Sequence, residues 1–232
     1  MKRKIYSAYT DASVRLGAAH TMYLVQDALS RWQRDQLCGN CEIREKGLFW
    51  VVTKSKVKFH HFPTWDSEVD VTSGFAPAGR IRCEFCVDII DDDGTAVEVR
   101  QEYCILDFDR HRPQKLEGIL TPDLPAQQPA GYEKFEIEQA DLCHTVTVLP
   151  HMIDMSGHLN NVEYVKLALD CFDGKFLSEN EPAEMECHHL KECKEGETLT
   201  LWRKDEGNTS YCQILREETP VFEIKFVWRE KI

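Results

Sequence analysis

Apolar and polar residues alternate along the first half of the chain with the periods of one helix and several strands. Over residues 12–37, apolar side chains such as Leu16, Tyr23 and Trp32 recur near one stripe, which is typical of an amphipathic helix. Shorter runs rich in β-branched and aromatic residues follow, separated by turn sequences. These predicted strands cover residues 48–62, 67–75, 80–90 and 96–108. We predict one long helix followed by four antiparallel strands.

The pattern stops over residues 109–140, which hold four of the nine prolines and show little periodicity, as is typical of a linker. The order of elements then repeats, beginning with a strand at 144–149 and a helix at 160–172. Four further strand-like runs cover residues 183–193, 197–203, 209–217 and 221–230. The second half is therefore predicted to contain a strand, a helix and four strands.

This repeated order predicts an α+β protein, a tandem (double) hot-dog in which each long helix is wrapped by a strongly curved antiparallel sheet. The helices are expected near residues 13–36 and 159–178. The predicted domains are an N-terminal hot-dog at 1–108 and a C-terminal hot-dog at 141–232, joined by the linker. Two unrelated α+β domains are the alternative, which the matching element order disfavours.

Composition limits the class of protein. A chain of 232 residues with 42% hydrophobic residues can bury a substantial core. No apolar run approaches the roughly 20 residues that span a bilayer, and the N-terminal sequence lacks the apolar segment of a secretory signal. We therefore expect a cytoplasmic protein with no membrane span. The formal net charge of −12 argues against a general nucleic-acid-binding protein.

Ten cysteines raise the question of metal binding or disulfide bonds. Two pairs have the CxxC spacing found in zinc sites: Cys38 with Cys41, and Cys83 with Cys86. The second pair lies in a predicted strand, where residues three apart point to opposite faces and would not meet one metal ion. Without a secretory signal, a disulfide framework is not expected. We expect reduced, mostly buried thiols and no metal.

The start of the second predicted helix is unusually rich in polar side chains. Asp154, Ser156, His158, Asn160 and Asn161 all lie within the stretch "DMSGHLNN". A helix needs one N-cap residue, for which Asp154 or Ser156 would serve. The remaining polar residues indicate that this turn has a chemical role.

Three segments resemble the acyl-acyl carrier protein thioesterase family. They are "LFWVVTKSKVKFHHFPTWDSEVDV" at 48–71, "DMSGHLNNVEY" at 154–164 and "LKECKEGETL" at 190–199. The resemblance runs from near residue 5 to residue 229, in the family's order. It implies hydrolysis of the thioester between a fatty acyl chain and the phosphopantetheine arm of acyl carrier protein. No metal and no dissociable cofactor are implied, and the chain resembles the cytoplasmic bacterial members.

By this resemblance, Asp154, His158 and Glu192 match the family's catalytic positions. Hydrolysis requires a water, a base to take its proton and donors to the developing oxyanion. His158 and Glu192 would orient and deprotonate the water, and Asp154 would orient His158. Backbone N–H groups around residues 158–160 would polarise the thioester carbonyl. Ser156, also a catalytic candidate, stands where the family has Asn and offers one hydroxyl donor instead of two amide donors.

Five further residues are candidates for substrate binding. Asn160 and Asn161 match the family's Asn pair, although closing the turn structurally is the favoured interpretation of both. The N-terminal helix begins with small and apolar residues, and we expect Gly17, Ala18 and Met22 to line the acyl pocket. An ordinary role in the core is the alternative for these three residues.

Two comparisons narrow the catalytic assignment. Cys193 is an alternative nucleophile, but adjacent strand residues face opposite sides, so Glu192 is favoured as the neighbour of His158. Aligning the two halves places Arg15 opposite His158 and Phe62 opposite Glu192. We therefore predict one active site per chain, in the C-terminal half.

The implied partner is acyl carrier protein, which is acidic, so this acidic chain would need a local basic patch to bind it. Lys54, Lys56 and Lys58 alternate along one strand and supply a candidate, with a solvated sheet face as the simpler interpretation. A homodimer is a further possibility. An acyl-CoA hydrolase and a non-catalytic acyl-binding module are the functional alternatives. A dehydratase is disfavoured because its His-Phe-Pro-Gly signature is absent, since "HFP" continues as Thr64-Trp65.

Overall fold

The computed structural model describes residues 1–117, 119 and 130–231, and these form two compact units. The N-terminal unit comprises Met1–Gly17 and Thr21–Tyr132. The C-terminal unit comprises Glu133–Ile232 together with Ala18–His20. None of the described helices is long and apolar enough to cross a membrane.

The N-terminal unit is built on five antiparallel strands in the order β1-β3-β4-β5-β2. Its elements are β1 (Lys2–Lys4), α1 (Ala18–Asp35, of which the first three residues belong to the C-terminal unit), α2 (Asn40–Arg44), β2 (Leu48–Phe59), β3 (Glu68–Pro77), β4 (Arg82–Asp91) and β5 (Gly94–Asp107). The turn from β4 to β5 requires a left-handed residue, which Gly94 supplies with φ +110°.

Aromatic side chains fill the core of the N-terminal unit. Trp32 of α1 packs edge-on against Phe85 of β4, with ring centroids 5.0 Å apart, and also contacts Phe75 of β3. Tyr103 and Trp50 complete the cluster from the neighbouring strands. Such rings bury large apolar areas, so this cluster is a major contribution to the stability of the unit.

The C-terminal unit has the corresponding sheet, with antiparallel strands in the order β7-β10-β9-β8-β6. Its elements are β6 (Asp141–Thr147), α3 (Asn161–Leu169), α4 (Gly174–Glu179), β7 (Asn180–His189), β8 (Thr198–Glu206), β9 (Thr209–Arg216) and β10 (Thr219–Glu230). The apolar face of α3 packs on β9 and β10. The predicted α+β class and the antiparallel pairing of both sheets are confirmed.

Both predicted helices are shorter than expected. The first begins at Ala18 and not near residue 13, because residues 11–16 form a turn whose apolar spacing imitates a helix. The second ends at Leu169, and a separate helix starts at Gly174. Asp173 caps this new helix by accepting a hydrogen bond from the N–H of Phe176 at 2.7 Å. Apolar periodicity continues across the break and hides it.

Two other differences concern elements that the pattern missed or extended. The short strand β1 and helix α2 were not predicted, since each is too short for a periodic signal. Strand β7 ends at His189, so Glu192 lies in the loop after the strand and not within it. The linker prediction falls partly on residues 118 and 120–129, which lie outside the described residues.

Candidate active site

A tight turn, residues 153–160, precedes helix α3. Its ends are joined by an antiparallel bridge between Ile153 and Leu159. Inside it, the N–H of Asp154 donates to the carbonyl of His158 at 2.9 Å, and the N–H of Gly157 donates to Asp154 O at 3.0 Å. Gly157 has φ +82°, a left-handed conformation that glycine adopts without steric cost. The backbone therefore holds the side chains of residues 154, 156 and 158 in a fixed arrangement.

The N-cap of α3 is Asn160, which corrects the expectation that Asp154 or Ser156 would serve. The Asn160 side chain accepts a hydrogen bond from the N–H of Val162 at 2.9 Å. Asn161 is the first residue of the helix and is half-buried. Because Asn160 caps the helix, the side chains of Asp154 and Ser156 are not needed as N-caps and can have another role.

The predicted catalytic residues are joined by a chain of polar contacts. Asp154 Oδ1 accepts hydrogen bonds from Ser156 N at 2.8 Å and Ser156 Oγ at 2.5 Å. Ser156 Oγ lies 3.3 Å from His158 Nδ1. On the other side of the ring, His158 Nε2 lies 3.2 Å from Glu192 Oε2. The side chains of His158 and Glu192 are 25% and 40% exposed, so water and substrate can reach them.

The direction of these hydrogen bonds follows from the number of protons available. Ser156 has one hydroxyl proton, and the carboxylate of Asp154 at 2.5 Å is its best acceptor. The Ser156 oxygen then accepts from Nδ1–H of His158, which selects the ring tautomer with its proton on Nδ1. Nε2 consequently faces Glu192 as an acceptor, so it can receive a proton that the Glu192 carboxylate has taken up.

The loop that carries Glu192 is fixed to the turn by its backbone. The N–H of Leu159 donates to the carbonyl of Cys193 at 2.8 Å. A guanidinium N–H of Arg216 donates to the carbonyl of Glu192 at 3.1 Å. The first bond joins the Glu192 loop to the His158 turn, and the second joins the same loop to the end of β9.

Cys193 faces away from the site. Its side chain is fully buried, and its thiol contacts the hydroxyl of Tyr164. Burial raises the pKa of the Cys193 thiol, which disfavours the thiolate that a nucleophile requires. The structure therefore places Glu192, and not Cys193, beside His158.

The expected oxyanion donors are only partly available. The N–H groups of Leu159 and Asn160 are already bonded, to Cys193 O and Met152 O at 2.8 and 2.9 Å. Within the described part of the chain, the N–H groups of His158 and Asn161 donate to no other residue. Candidate donors are therefore residues 158 and 161, in place of the expected continuous run 158–160.

The N-terminal unit contains a second copy of this turn. Residues 10–17 make the same backbone hydrogen bonds as residues 153–160, including the bridge between Thr10 and Leu16. The matching bonds are Asp11 N to Arg15 O (3.0 Å), Val14 N to Asp11 O (3.0 Å), Leu16 N to Pro63 O (2.8 Å) and Gly17 N to Tyr9 O (3.0 Å). Ser13 N also donates to Asp11 Oδ1 at 2.8 Å, repeating the Asp–Ser contact.

The chemistry of this second copy is different. Arg15 occupies the position of His158, and Phe62 occupies that of Glu192. The guanidinium carbon of Arg15 lies 5.6 Å from the centroid of the Phe62 ring, a cation–π contact. Neither side chain can take a proton from water, so the N-terminal turn keeps the framework without the base.

The candidate pocket residues are buried in and before the first turn of α1. Gly17 precedes the helix, Ala18 is 8% exposed and Met22 is 4% exposed. A cavity of about 280 Å³ in the N-terminal unit is lined by other residues, among them Phe75 and Leu116. A role of Gly17, Ala18 and Met22 in acyl binding stays a prediction.

One group of described residues has the spacing of a metal site: His61, Asp91 and Asp93, whose ligand atoms lie within 4.8 Å of one another. His61 Nε2 contacts both carboxylate oxygens of Asp91 at 2.9 Å, and Asp91 also accepts from the N–H of Asp93. A hydrogen-bonded His–Asp pair accounts for this arrangement without an ion. The ten cysteines are free thiols, eight of them buried.

Two family models match the chain. The one described as acyl-ACP thioesterase N-terminal domain matches residues 1–121. The one described as acyl-ACP thioesterase C-terminal domain matches residues 136–228. Together they cover both repeats, including the turn and the loop that form the site.

Curated relatives are plant enzymes at low identity. A chloroplastic acyl-[acyl-carrier-protein] hydrolase of Cuphea viscosissima is 22% identical over 204 residues, covering 79% of this chain and 49% of that protein. A chloroplastic palmitoyl-acyl carrier protein thioesterase of Gossypium hirsutum is 22% identical over 182 residues, covering 72% and 44%. The chain spans about half the length of the curated relatives it matches.

Solved structures share the fold over nearly the whole chain. An acyl-ACP thioesterase from Bacteroides thetaiotaomicron superimposes with a TM-score of 0.86 at 16% identity, covering 99% of this chain and 96% of that one. A 12:0-ACP thioesterase from Umbellularia californica gives a TM-score of 0.87 at 16% identity, covering 100% and 96%. At these identities the likeness establishes the double hot-dog fold.

Proposed function

The chain belongs to the acyl-acyl carrier protein thioesterase family, and on that premise we propose that it hydrolyses the thioester of a fatty acyl-acyl carrier protein. The products are a free fatty acid and the carrier with a free phosphopantetheine thiol. The observation that carries the proposal is the polar chain from Asp154 through Ser156 and His158 to Glu192.

In the proposed reaction, Glu192 takes a proton from a water held between its carboxylate and the thioester. The water oxygen attacks the carbonyl carbon, and the tetrahedral intermediate collapses with cleavage of the C–S bond. His158 Nε2, which lies 3.2 Å from Glu192, carries the proton to the leaving thiolate. One water is consumed, and no metal or cofactor takes part.

Ser156 has a defined place in this mechanism. Its hydroxyl links the carboxylate of Asp154 to Nδ1 of His158, so it fixes the ring orientation that points Nε2 at Glu192. The family's Asn would offer an amide at this position, and a hydroxyl polarised by Asp154 supplies the acceptor that Nδ1–H requires. The substitution is therefore compatible with catalysis.

The developing oxyanion is stabilised in this proposal by N–H groups at the start of α3. The N–H of Asn161 is at the first position of the helix, where the dipole is positive. Donors of this kind act most strongly on charge that appears only in the transition state. Asn160 then contributes by holding the helix start, which agrees with the structural interpretation of this residue.

The N-terminal unit is proposed to bind the acyl chain, since its copy of the turn lacks a base while its core is rich in apolar side chains. Met22 of this unit is buried and apolar, as such a role requires, and so is Ala18 at the start of the same helix. Acyl-chain length preference would then be set by side chains of α1 and of the aromatic cluster around Trp32.

The carrier protein is the proposed partner, and the predicted lysine patch is an incomplete site for it. Lys56 Nζ donates to Gly131 O at 3.1 Å, and Lys54 lies over the ring of Tyr132. Both lysines thus contact residues 131 and 132 of the predicted linker, while Lys58 is exposed. Location in the cytoplasm and formation of a homodimer are further proposals, to be tested by cell fractionation and light scattering.

The decisive test measures fatty-acid release from a panel of acyl carrier protein thioesters and from the same acyl groups on CoA. We expect release from the carrier substrates, and loss of this release in Glu192→Gln and His158→Gln. Preference for the CoA esters would identify an acyl-CoA hydrolase. Binding without release from either panel would identify a non-catalytic acyl-binding protein.

A further inference from the structure

Arg216, at the end of β9, holds both ends of the loop that carries Glu192. One of its guanidinium nitrogens, Nη1, lies 3.1 Å from the carbonyl oxygen of Glu192. The same nitrogen lies 2.9 and 3.0 Å from the two carboxylate oxygens of Glu197. Glu197 in turn accepts a hydrogen bond from the N–H of Lys194 at 3.0 Å. We call these contacts of Arg216 with residues 192 and 197 the Arg216 clamp.

The clamp continues into the protein behind the catalytic pair. The buried thiol of Cys193 contacts both Glu197 and the hydroxyl of Tyr164. That hydroxyl also donates to the carbonyl of Lys191 at 3.3 Å. Because Tyr164 lies on α3 and Arg216 on β9, two separate elements fix the loop from opposite ends.

Charge strengthens the clamp. Burial by itself raises the pKa of Glu197, but the hydrogen bonds from the N–H of Lys194 and from Arg216 outweigh it, and the net shift is downward. Glu197 is therefore a carboxylate at neutral pH, and its contact with Arg216 is a charge-assisted one. Both groups are about one-third exposed or less, which limits screening by solvent.

The N-terminal unit shows what the same framework looks like without a clamp. Asp91 is the residue of that unit which matches Arg216. Arg216 pairs with Thr219 across the hairpin from β9 to β10 and with Leu199 on β8. Asp91 pairs with Gly94 across the equivalent hairpin from β4 to β5. Asp91 contacts the side chain of His61, the residue before Phe62, and a carboxylate has no proton to donate to the carbonyl of Phe62.

The residue equivalent to Glu197 also differs in the N-terminal unit, where it is Ser67. The N–H of Val148 donates to Glu197 O at 2.9 Å, and the matching bond joins Ile5 N to Ser67 O at 2.9 Å. Ser67 bonds locally, through its Oγ to the carbonyl of Thr64 at 2.7 Å. The framework therefore folds without an arginine and a glutamate at these positions, and it carries them only in the unit that has His158 and Glu192.

From this difference we infer that Arg216 is a positioning residue for the proposed hydrolysis: it fixes the backbone of Glu192 so that the carboxylate stays within reach of His158. The inference rests on the proposed function. Glu192 lies outside regular strand structure. Its neighbours Lys191 and Cys193 have backbone hydrogen bonds to Val221 and Leu159, whereas the carbonyl of Glu192 itself accepts from Arg216. A displacement of about 1 Å at a reacting group can lower turnover by about 100-fold.

The test compares Arg216→Gln and Arg216→Lys with Arg203→Gln. Arg203 is a matched control, because it also donates to a backbone carbonyl, that of Cys171, and pairs with a carboxylate, that of Asp205. We expect Arg216→Gln to lower kcat by about tenfold or more with KM changed less than about twofold. Arg216→Lys should recover part of the loss, and Arg203→Gln should leave kcat within about twofold.

A double-mutant cycle separates positioning from general destabilisation. If Arg216 acts through Glu192, adding Arg216→Gln to Glu192→Gln lowers the residual rate by less than about twofold. A further tenfold loss in the double mutant, an equal loss in Arg203→Gln, or an unchanged kcat in Arg216→Gln would each overturn the inference.

Crystal structures of wild type and Arg216→Gln give a result that does not depend on the substrate. We expect the distance from His158 Nε2 to Glu192 Oε2 to grow from 3.2 Å to beyond about 4 Å, outside hydrogen-bonding range. An unchanged distance rejects the positioning role. A widened distance in a protein whose wild type hydrolyses no acyl thioester supports the positioning role and rejects the proposed function.

Discussion

Arg15 lies over the ring of Phe62, with its guanidinium carbon 5.6 Å from the ring centroid, at the positions that His158 and Glu192 occupy in the C-terminal unit. One backbone framework thus holds a histidine–carboxylate pair in one repeat and a cation–π pair in the other. This pair of equivalent positions offers a direct control for the role of His158.

His158→Ala is expected to lower kcat by at least about 100-fold, because it removes the group that returns the proton to the leaving thiolate. Arg15→Ala, at the equivalent position of the N-terminal unit, should leave kcat within about threefold. Steady-state assays on one acyl carrier protein substrate measure both. Equal losses in the two variants would contradict a single active site in the C-terminal unit.

Glu192→Ala is expected to lower turnover by at least about 100-fold with the fold intact, as loss of a general base should. Cys193→Ala should be mild, within about tenfold, since the thiol is buried and faces Tyr164. Circular dichroism checks the fold beside the kinetic assay. An inactive Cys193→Ala with an active Glu192→Ala would reverse the assignment.

Ser156→Ala is expected to lower kcat by about 10- to 100-fold, because it breaks the link between Asp154 and Nδ1 of His158. Asp154→Asn should have an effect of similar size, and the double mutant should be little worse than either single mutant. Additive losses in the double mutant would mean that the two residues act separately. The measurement is kcat for the four proteins.

The contribution of Glu197 to stability should depend on pH. Its folded pKa is lowered, with burial opposing the shift and the bonds from Lys194 N–H and Arg216 producing it. The stabilisation is therefore present above the unfolded pKa, 4.5, and is lost as pH falls through the folded pKa. Glu197→Gln should lower the free energy of unfolding by about 1 kcal/mol at pH 7.

Urea unfolding of wild type and Glu197→Gln at pH 7 and at pH 3 measures this difference. We expect the difference between the two proteins to be smaller at the lower pH, since pH 3 lies below the unfolded pKa of 4.5, where the contribution of Glu197 begins to be lost. A difference that stays constant across this range would show that the ion pair with Arg216 is not its source.

A larger side chain at the start of α1 should shorten the acyl chains that are accepted. Ala18→Phe or Ala19→Phe replaces a buried methyl group, since these alanines are 8% and 4% exposed. Each excluded methylene is worth about 0.8 kcal/mol, so excluding two or three shifts selectivity by more than about tenfold. Ser30→Phe, at an exposed position of the same helix, is the control. An unchanged product profile in both alanine variants would place the pocket elsewhere.

The sequence alone predicted the repeat, the antiparallel strands and the polar turn that carries the candidate residues Asp154, Ser156 and His158. These features are local, since periodicity reports which face of a strand or helix is buried, and the "DMSGH" turn lies within a few residues. The pairing of His158 with Glu192 was predicted by resemblance to a family, because nothing in the spacing of the two residues brings them together. Strand alternation also predicted that Glu192 and Cys193 face opposite ways, but its premise was wrong, since both residues lie in the loop after β7.

Only the tertiary structure decided which groups complete the turn and hold the loop. Asp154, Ser156 and Asn160 are all good N-cap residues, and the choice of Asn160 depends on where the chain leaves the bridge between Ile153 and Leu159. Arg216 gave no signal in the sequence, because its contact with Glu192 joins residues 24 positions apart across a strand end. Contacts of this kind depend on strand register and loop path, which arise from packing of the whole unit and not from any local pattern.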